Sequence, residues 1–306
     1  MGDSLLARPV ILTLGTFDGV HRGHQRLLKL ARQRARAVHG DVLAVAFERP
    51  PRHHFVPLQS PFLLTTPEEK TDLLLRFGAD RVESLPFGAR LASLSAGEFL
   101  QSFLLKKWHA QELVVGFNFR FGKDRQGDVR FLAREGRRWG LRLRSVGAVR
   151  DRSGVVSSGR IRTLILEGKL SDSKALLGHG LPLWGRVVRG RGVGRGIGFA
   201  TANLSVGGEK IVPSGVFAVK AILPTGVERR GLLNVGFRPT FRGKTRRRSV
   251  EVHLLDFSGD LTGRVLQVEI VRKLRDEKKF SSTQVLVRQI RRDESAVRAL
   301  PSAAWK

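Results

Sequence analysis

The stretch that decides the fold lies at residues 10–24 and reads VILTLGTFDGVHRGH. Its first five residues form a short apolar run that predicts a β-strand, and a glycine-rich turn leads from there into a segment with helical spacing. Glycine lets the backbone approach a phosphate closely, and a helix N-terminus presents unpaired N–H groups to it. His21 and His24 are spaced to donate hydrogen bonds to a phosphate under attack. The stretch therefore predicts a nucleotide site, although a glycine turn with two surface histidines would have the same composition.

Beyond this turn, apolar runs alternate with helical segments up to about residue 180. Strands are expected at 10–14, 42–47 and 113–115, and helices at 24–38, 67–78 and 95–107. Alternation of this kind is typical of βαβ units around a parallel sheet.

After residue 182 the pattern changes to short strands at close spacing, separated by glycine, proline and charged turns. Strands are expected at 216–222, 230–235, 250–255 and 265–271. This spacing predicts an antiparallel barrel or sandwich. A closing helix follows the capping stretch 281–283, with an apolar face from Val285 to Leu300. The change in pattern predicts two domains, residues 1–183 and 184–306.

The composition of the 306-residue chain is unusual only in its charge, a formal net +28. Residues 1–183 carry +13 and residues 184–306 carry +15, so the basicity is spread over folded sequence and not confined to a tail. Such an excess favours a polyanionic partner, such as nucleic acid, nucleotides or anionic lipid. The longest basic run, Arg246–Arg248, is expected on a loop.

Several classes of protein are excluded by what the sequence lacks. With no cysteine, there is no disulfide scaffold, thiolate nucleophile or cysteine-ligated metal centre. Apolar runs are far shorter than the ~20 residues needed to span a bilayer. No basic segment followed by a long apolar one marks a secretory signal near the first residue. A cytoplasmic protein that does not enter a membrane is expected.

Two further motifs in the first part have open interpretations. Residues 115–122 read VGFNFRFG, in which phenylalanines around Asn118 and Arg120 could sandwich a planar ring. Their alternate spacing would equally place Phe117, Phe119 and Phe121 on the core face of a strand. In SSGRIR, residues 157–162, hydroxyls and guanidiniums could hold a triphosphate, or the serines could simply cap an arginine-rich helix.

The second part carries a glycine-rich segment, GRGVGRGIG at 190–198, that matches neither a dinucleotide fingerprint nor a Walker loop. It could bind RNA, or cover phosphates as a flap that continues into FATANL at 199–204. Thr201 and Asn203 share one face of an extended chain, where their oxygens could meet a magnesium ion. Glu251 faces away from Val250 and Val252. It is either a solvated strand residue or a general base beside a bound hydroxyl.

Nine collinear segments together resemble the bacterial bifunctional riboflavin kinase/FMN adenylyltransferase (FAD synthetase) family, over nearly the whole chain. They lie at 15–25, 47–52, 63–70, 114–122, 157–162, 198–204, 234–241, 250–257 and 275–280. The resemblance implies an α/β, Rossmann-like nucleotidyltransferase domain with a parallel sheet, followed by a small antiparallel β-barrel domain with a C-terminal helix.

The resemblance also implies two successive reactions. The barrel domain would phosphorylate riboflavin to FMN with ATP and Mg²⁺, with Glu251 as the base and Thr201 and Asn203 as metal ligands. The N-terminal domain would transfer an adenylyl group from a second ATP to FMN, giving FAD and pyrophosphate, with His21 and His24 stabilising the charge. The residues implied in ATP binding are Gly15, Phe17, Asp18, Gly23, Asn118, Ser158, Arg160, Arg162, Gly192 and Gly198. Those implied in flavin binding are Phe47, Pro50, Phe119, Phe121, Arg275 and Phe280.

Four positions depart from the family pattern, and none of them removes a catalytic group that the resemblance implies. Gly159 stands in place of threonine, Ala200 in place of proline, and Phe217 and Thr262 in place of tyrosine. Ala200 frees the backbone φ angle just before Thr201, so this loop is expected to be looser before a ligand binds.

Riboflavin, FMN and ATP are the expected partners, without a membrane or an obligatory nucleic acid, and the protein is expected to be a monomer or a weak homo-oligomer. The net charge and the arginine-rich segments at 189–196 and 245–248 keep one alternative open, a basic RNA-binding protein on a degenerate nucleotidyltransferase scaffold. Another alternative is an enzyme that retains only the adenylyltransferase activity.

Overall fold

A computed structural model describes residues 8–56, 61–190, 196–239 and 246–305. The chain divides into two compact units, residues 1–158 and 159–306. The domain boundary predicted from the sequence lies later, between residues 183 and 184. Two helices, Ser158–Leu166 and Leu170–Leu177, occupy the interval between these two positions.

The first unit is built on a five-stranded parallel sheet with the order β3-β2-β1-β4-β7. These strands are β1 (Val10–Gly15), β2 (Asp41–Phe47), β3 (Arg81–Leu85), β4 (Ala110–Gly116) and β7 (Arg142–Val146). Four short strands form two small antiparallel ribbons: β5 (Arg120–Phe121) with β6 (Gly127–Asp128), and β8 (Arg150–Asp151) with β9 (Gly154–Val155). The parallel sheet predicted from the alternating pattern is confirmed, whereas both ribbons are too short to leave a periodic signal in the sequence.

Six helices belong to this unit. They are α1 (Arg22–Ala37), α2 (Arg52–Phe55), α3 (Pro67–Arg76), α4 (Ala89–Ser93), α5 (Ala96–Phe99), which continues in π-helical turns at Leu100–Lys107, and α6 (Val129–Phe131), which continues likewise at Leu132–Gly136. Capping boxes begin two of them: Thr66 with Glu69 at α3, and Ser95 with Glu98 at α5.

Strand β1 lies at the centre of the sheet because its side chains are apolar on both faces. Leu12 and Leu14 belong to one buried cluster, and Ile11, between them, belongs to the cluster on the opposite face. Both faces of a parallel sheet are covered by helices, so a continuous apolar run suits its central strand. Strand β2 pairs with one side of β1 and β4 with the other, so the strand order reverses its direction at β1. Ligands of open parallel sheets bind at the carboxyl ends of the strands beside such a reversal.

The second unit contains a closed antiparallel barrel with the strand order β10-β11-β14-β13-β12-β15. Its strands are β10 (Leu181–Val188), β11 (Ala202–Ser205), β12 (Gly215–Ile222), β13 (Glu228–Pro239), β14 (Arg246–Leu254) and β15 (Val265–Arg275), and its helices are α7 (Ser158–Leu166), α8 (Leu170–Leu177) and α9 (Thr283–Arg298). Ser282 caps α9, as predicted, by accepting a hydrogen bond from Val285 N. Of the two architectures that the sequence left open, the structure shows the barrel.

Helix α9 packs on the outside of the barrel through a small apolar cluster. Val297 is fully buried there, together with Val216, Ala218 and Leu232 of the barrel. Strand β12 therefore has buried side chains on both of its faces. The alternating pattern of a half-exposed strand is absent from β12 for this reason.

One sequence expectation about the barrel is wrong. Arg246–Arg248 was expected on a loop, but these residues begin β14 and pair with Pro239, Arg238 and Phe237 of β13. The ladder is formed by backbone groups, so consecutive charged residues can take part in strand pairing. No helix within the described residues is long and apolar enough to cross a membrane.

A buried carboxylate supports the first unit from within β4. Glu112 is 1% exposed, and its oxygens accept hydrogen bonds from Arg34 at 2.8 and 3.1 Å and from Arg144 at 3.1 Å. Burial opposes ionisation of Glu112, but the hydrogen bonds from Arg34 and Arg144 outweigh it and lower the pKa of the carboxyl. The ion pair therefore connects α1, β4 and β7.

We expect Glu112→Gln to lower the free energy of unfolding by about 2 kcal/mol near neutral pH, the scale of hydrogen bonds to a charged group. Because the folded-state pKa is depressed, this stabilisation is present above the pKa of an unfolded glutamate, about 4.3, and is lost as the pH falls through the folded value. Urea unfolding of Glu112→Gln and wild type between pH 3 and pH 7 measures it. Glu135→Gln, at the more exposed carboxylate beside Arg134 and Arg138, is the matched control. Equal stability of Glu112→Gln and wild type at pH 7 would contradict this account.

Candidate active sites

The loop that joins β1 to α1 has a backbone conformation that costs free energy. Phe17 and Val20 have positive φ angles of 50° and 36°, and Gly19 between them has 79°. The left-handed region is unfavourable for phenylalanine and valine, and such residues concentrate at functional sites. Val20 N donates to Phe17 O at 3.0 Å, and Gly19 N donates to Thr65 Oγ1 at 3.0 Å, which stabilises the turn.

Asp18 is the residue that holds this loop in place. It is 1% exposed, and its Oδ1 accepts hydrogen bonds from Leu64 N at 2.9 Å and Thr65 N at 3.1 Å. Ser158 Oγ donates to the carbonyl oxygen of Asp18 at 2.8 Å. Both Asp18 and Ser158 were expected at an ATP site. Here the Asp18 carboxylate connects the loop to Leu64, 46 positions away, and Ser158, 140 positions from Asp18, is bonded to the same loop.

His21 and His24 stack on each other, with ring centroids 3.7 Å apart and an interplanar angle of 18°. His21 is the N-cap of α1, and its Nδ1 accepts from Gly23 N at 3.1 Å, so the hydrogen of its neutral ring is on Nε2. A Cβ at Gly23 would lie 3.0 Å from His21 Cε1, which leaves little room for any other residue there. The two histidines thus lie together at the start of the helix, and their role in the reaction stays a prediction.

His24 is the unusual member of this pair. Its Nδ1 is buried and has no hydrogen-bond partner within the described residues. Burial first, and then the neighbouring His21 and Lys70, lower the pKa of His24 well below its ordinary value. Phe17, itself fully buried, lies edge-on to the ring with centroids 5.2 Å apart. A neutral imidazole whose Nδ1 is enclosed by the protein is therefore held here.

Lys70 is a residue that the sequence analysis did not assign, although it ends the quoted segment 63–70. Its side chain is 2% exposed and donates to the carbonyl oxygens of Phe47 and, at 3.3 Å, Glu48. Burial lowers the pKa of Lys70 to about 8, against the opposing influence of Asp18 and Glu48. Lys70 thus connects α3 to the carboxyl end of β2 and adds a positive charge near His24. An isolated lysine in a helix gives no sequence signal for such a role.

The carboxyl end of β2 also carries two of the residues expected to bind flavin. Phe47 is half-buried and lies edge-on to Phe87, with ring centroids 5.8 Å apart. Pro50, three residues later, is buried. Both stay predictions as flavin contacts.

The segment that follows β4 divides between core and surface. Phe121 is 8% exposed and packs against Phe99 at a centroid distance of 5.4 Å, and Phe119 stacks on Phe121 at 5.5 Å. The alternative interpretation, packing in the core, therefore describes Phe121 but is wrong for Phe117, which is 55% exposed. Asn118 is exposed beside it. Because β2 and β4 flank β1 in a parallel sheet, the loops after all three strands lie at one edge.

Arg160 and Arg162 lie in α7, on the second unit's side of the division at residue 158, and both are half-buried. Their role in holding phosphates stays a prediction.

The second unit brings three polar residues into one row across neighbouring strands. Asn203 of β11 pairs with Glu251 of β14, and Glu251 pairs on its other side with Asn234 of β13. Ser249 Oγ donates to Glu251 Oε1 at 2.8 Å. Side chains in directly opposed positions lie on the same face of a sheet, so the row presents oxygen atoms side by side. Asn234 was not singled out from the sequence, because only the strand pairing places it here.

Of this row, Asn203 lines a cavity of about 440 Å³, whose wall includes neither Glu251 nor Asn234. Its lining includes Thr201, Asn203, Gly190, Asp260 and Thr262. Thr262 Oγ1 donates to Asp260 Oδ1 at 2.6 Å, which orients the residue that departs from the family's tyrosine. The cavity has the size of a nucleotide site, and Thr201 and Asn203 lie together in its wall as predicted.

The glycines expected to contact ATP in this unit have different outcomes. Gly198 has a φ of +86° and is exposed. Gly192 lies outside the described residues. Gly190, not assigned before, approaches the side chain of Asn203: a Cβ there would lie 2.6 Å from Asn203 Cγ. Only glycine leaves the Asn203 amide in its present position.

Arg275, expected to bind flavin, is engaged by helix α9. Its Nη2 lies 2.9 Å from Asp293 Oδ2 and its Nε 3.0 Å from the same oxygen. Its guanidinium carbon lies 5.7 Å from the centroid of the half-buried Phe280 ring, the other residue predicted nearby. The structure places these two residues together, and their contact with flavin stays a prediction.

Comparisons with known proteins match both units. The model of a family described as FAD synthetase matches residues 4–160, and that of riboflavin kinase matches residues 177–300. The bifunctional riboflavin kinase/FMN adenylyltransferase of Escherichia coli (strain K12) is 37% identical over 288 residues, 94% of this chain and 91% of its own length. The Pseudomonas fluorescens protein of the same name is 38% identical over 298 residues, 97% of this chain and 95% of its own.

One solved structure shares the fold along nearly the whole chain. It is the crystal structure of a macrolide-efflux protein from Streptococcus pneumoniae, with a TM-score of 0.83 and 33% sequence identity, covering 97% of this chain and 95% of that chain. The relatives and this structure cover both units, so the similarity extends beyond either one alone.

Proposed function

This chain belongs to the family of bifunctional riboflavin kinase/FMN adenylyltransferases, and we propose which of its residues carry out each reaction. It makes FMN from riboflavin and ATP, and FAD from FMN and a second ATP. The matches at 4–160 and 177–300 assign adenylyl transfer to the N-terminal part and the kinase to the C-terminal part.

For adenylyl transfer, the observation that carries the assignment is the stacked His21–His24 pair at the carboxyl end of β1. A phosphate oxygen of FMN attacks the α-phosphorus of ATP, and the bond to pyrophosphate breaks. Nε2–H of His21 and the ring of His24 donate to the oxygens on which charge builds. The fixed loop around Asp18 keeps both rings in place, so little reorganisation is needed during the reaction.

For the kinase, the row formed by Asn203, Glu251 and Asn234 supports the assignment. Glu251 accepts the proton of the ribityl 5′-hydroxyl as that oxygen attacks the γ-phosphorus, and ADP leaves. The hydrogen bond from Ser249 Oγ holds the carboxylate of Glu251 in one orientation. Phosphoryl transfer depends mainly on positioning and electrostatics, so a rigid strand pair is a suitable support for these groups.

The donor atoms fit a magnesium ion. Thr201 and Asn203 offer a hydroxyl and an amide oxygen, and Glu251 is their neighbour on the next strand. Among the described residues no group of three or more histidine, cysteine, aspartate or glutamate side chains could hold a metal. Magnesium usually takes few protein oxygens together with substrate phosphates and water. Bound by Thr201 and Asn203, it would neutralise charge on the phosphates of ATP.

The direct test incubates the purified protein with riboflavin, ATP and Mg²⁺ and separates the flavins by chromatography. FMN is expected first, followed by FAD, and FAD alone grows when FMN replaces riboflavin. Failure to form either flavin would contradict the function. FAD formation from supplied FMN without any FMN formation from riboflavin would favour the alternative in which only the adenylyltransferase is retained.

Gly190→Ala tests the kinase assignment by a steric change. The new methyl group would occupy the position of the Asn203 amide and displace it, so we expect kcat/KM for FMN formation to fall about 100-fold, as for other small misplacements of reacting groups. Gly208→Ala, where a Cβ meets nothing within 4 Å, is the matched control. Steady-state kinase assays check both, with FAD formation from FMN as the measure of intact folding. A Gly190→Ala kinase as active as the control would contradict the role of Asn203.

We also propose that the protein works in the cytoplasm as a monomer or weak homo-oligomer, as the sequence predicts. The RNA-binding alternative rests on the net charge and the arginine-rich segments, and a salt titration tests it. Tight RNA binding that persists at physiological ionic strength would support it, whereas binding only at low salt would be non-specific.

A further inference from the structure

A histidine behind the kinase cavity bridges the loop that carries the metal ligands and the C-terminal helix. His253 lies on β14, two residues after Glu251. Its Nδ1 lies 2.8 Å from the carbonyl oxygen of Ala200, and its Nε2 lies 3.0 Å from Glu294 Oε1 on α9. Along the sequence, Ala200 lies 53 residues before His253 and Glu294 lies 41 residues after it.

The chemistry of the carbonyl group defines the direction of the hydrogen bond to Ala200. A carbonyl oxygen only accepts, so Nδ1–H of the ring donates to Ala200 O, and Nε2 makes its hydrogen bond with the Glu294 carboxyl group. Hydrogen bonds of this kind to charged partners are stronger than neutral ones. Glu294 therefore holds the ring in the orientation in which Nδ1–H is directed at Ala200.

The bridge acts on a segment that has little other local restraint. Ala200 follows Phe199, whose ring lies edge-on to His253 at a centroid distance of 5.5 Å, and it precedes Thr201 in the wall of the cavity. Gly198 has a positive φ of 86°, and alanine at position 200 leaves the φ angle free. Packing from Phe199 and the hydrogen bond to Ala200 O thus restrain the chain just before the proposed metal ligands.

Glu294 is not needed to hold α9 on the barrel. Asp293, its neighbour, is bonded to Arg275 at 2.9 Å, and Arg298 is bonded to Asp256 at 2.7 and 2.9 Å. Val297 is fully buried in the cluster beneath the helix. The helix is therefore anchored without the contact between Glu294 and His253. That contact instead orients the imidazole ring of His253.

We propose that His253, oriented by Glu294, is a positioning residue of the kinase, which fixes the Ala200 carbonyl and through it the direction in which Thr201 and Asn203 present their oxygens to Mg–ATP. The proposal rests on the kinase assignment of Thr201 and Asn203 above. Partners that orient ligand-bearing groups typically change metal affinity or activity by about 10–100-fold when they are removed.

The test compares Glu294→Ala and His253→Ala with wild type in steady-state kinase assays at varied Mg–ATP and varied riboflavin. We expect the KM for Mg–ATP to rise about tenfold in both variants. The KM for riboflavin and the rate of FAD formation from FMN should stay within twofold, because neither depends on the Ala200 carbonyl. Glu294→Gln should retain most of the kinase activity, since its side-chain amide can still form a hydrogen bond with Nε2 in either direction. Arg292→Ala, an exposed change on the same helix, is the control.

A second variant keeps the test informative if His253→Ala is poorly folded. Ala200→Pro restrains φ directly, so it should lower the raised KM for Mg–ATP in the Glu294→Ala background while changing wild type little. An unchanged KM for Mg–ATP in Glu294→Ala, or equal rises for Mg–ATP and riboflavin, would overturn the proposal. Thr201→Ala separates failure of the metal-ligand assignment from failure of the positioning role. If it leaves the KM for Mg–ATP unchanged, the metal-ligand assignment fails and the positioning proposal fails with it. If Thr201→Ala raises that KM while Glu294→Ala does not, only the positioning role fails.

Discussion

Glu251→Gln is expected to lower the rate of FMN formation by about 10²- to 10⁴-fold, the usual contribution of a positioned general base. Glutamine keeps the size of the side chain and can still accept a hydrogen bond from Ser249 Oγ, so the strand pairing with Asn203 and Asn234 should persist. What is lost is the negative charge that accepts the proton of the 5′-hydroxyl. The measurement is FMN formation from riboflavin at saturating ATP and Mg²⁺.

The same variant should form FAD from supplied FMN at the wild-type rate, because the adenylyltransferase matches another part of the chain. Glu228→Gln, at an exposed carboxylate on the adjacent strand β13, is the matched control for loss of one negative charge. An FMN-forming rate within threefold of wild type would rule out Glu251 as the base. Loss of both activities at once would contradict the division of the two reactions.

His24→Asn is expected to lower the rate of FAD formation from FMN by about 10²- to 10³-fold, as when one preorganised donor to a developing charge is removed. The pKa of His24 is lowered, so its ring is neutral at physiological pH and acts as a hydrogen-bond donor without a full positive charge. Its buried Nδ1 has no partner within the described residues, so the substitution leaves no broken hydrogen bond from that atom in the free enzyme. The effect should therefore appear mainly in kcat and little in thermal stability.

His39→Asn is the matched control for this prediction. His39 is exposed just beyond the end of α1, and its φ of 51° is one that asparagine tolerates. FAD formation in His39→Asn should equal wild type, and FMN formation should be unchanged in both variants. If His24→Asn formed FAD at the rate of His39→Asn, the stacked pair would have no part in adenylyl transfer.

Much of the fold follows from local patterns in the sequence. The apolar run at 10–14, the glycine turn and the helical spacing after it correspond to β1, its loop and α1. His21 lies at the N-cap of α1, and Ser282 caps α9 where a capping stretch was expected. These features depend on residues a few positions apart, and periodicity and capping are visible at that range.

Other predictions needed information that local patterns do not contain. Phe119 and Phe121 have the spacing of both a flavin platform and a strand core, and burial alone identifies Phe121 as a core residue. Arg246–Arg248 resembles a loop because of its charge, yet backbone pairing with β13 makes it a strand. The choice between barrel and sandwich depends on whether the first and last strands pair, and here β10 pairs with β15.

The sequence by itself determined the βαβ character of the first unit, the strand-rich second unit, and the groups that we propose carry the chemistry. The tertiary structure alone decided which distant residues support them. Lys70 beneath the end of β2, Leu64 and Thr65 on Asp18, and Glu294 behind His253 are brought together by packing. The physical reason is that such contacts join residues some 20 to 50 positions apart, and their distance in space depends on how whole elements pack, which no local periodicity records.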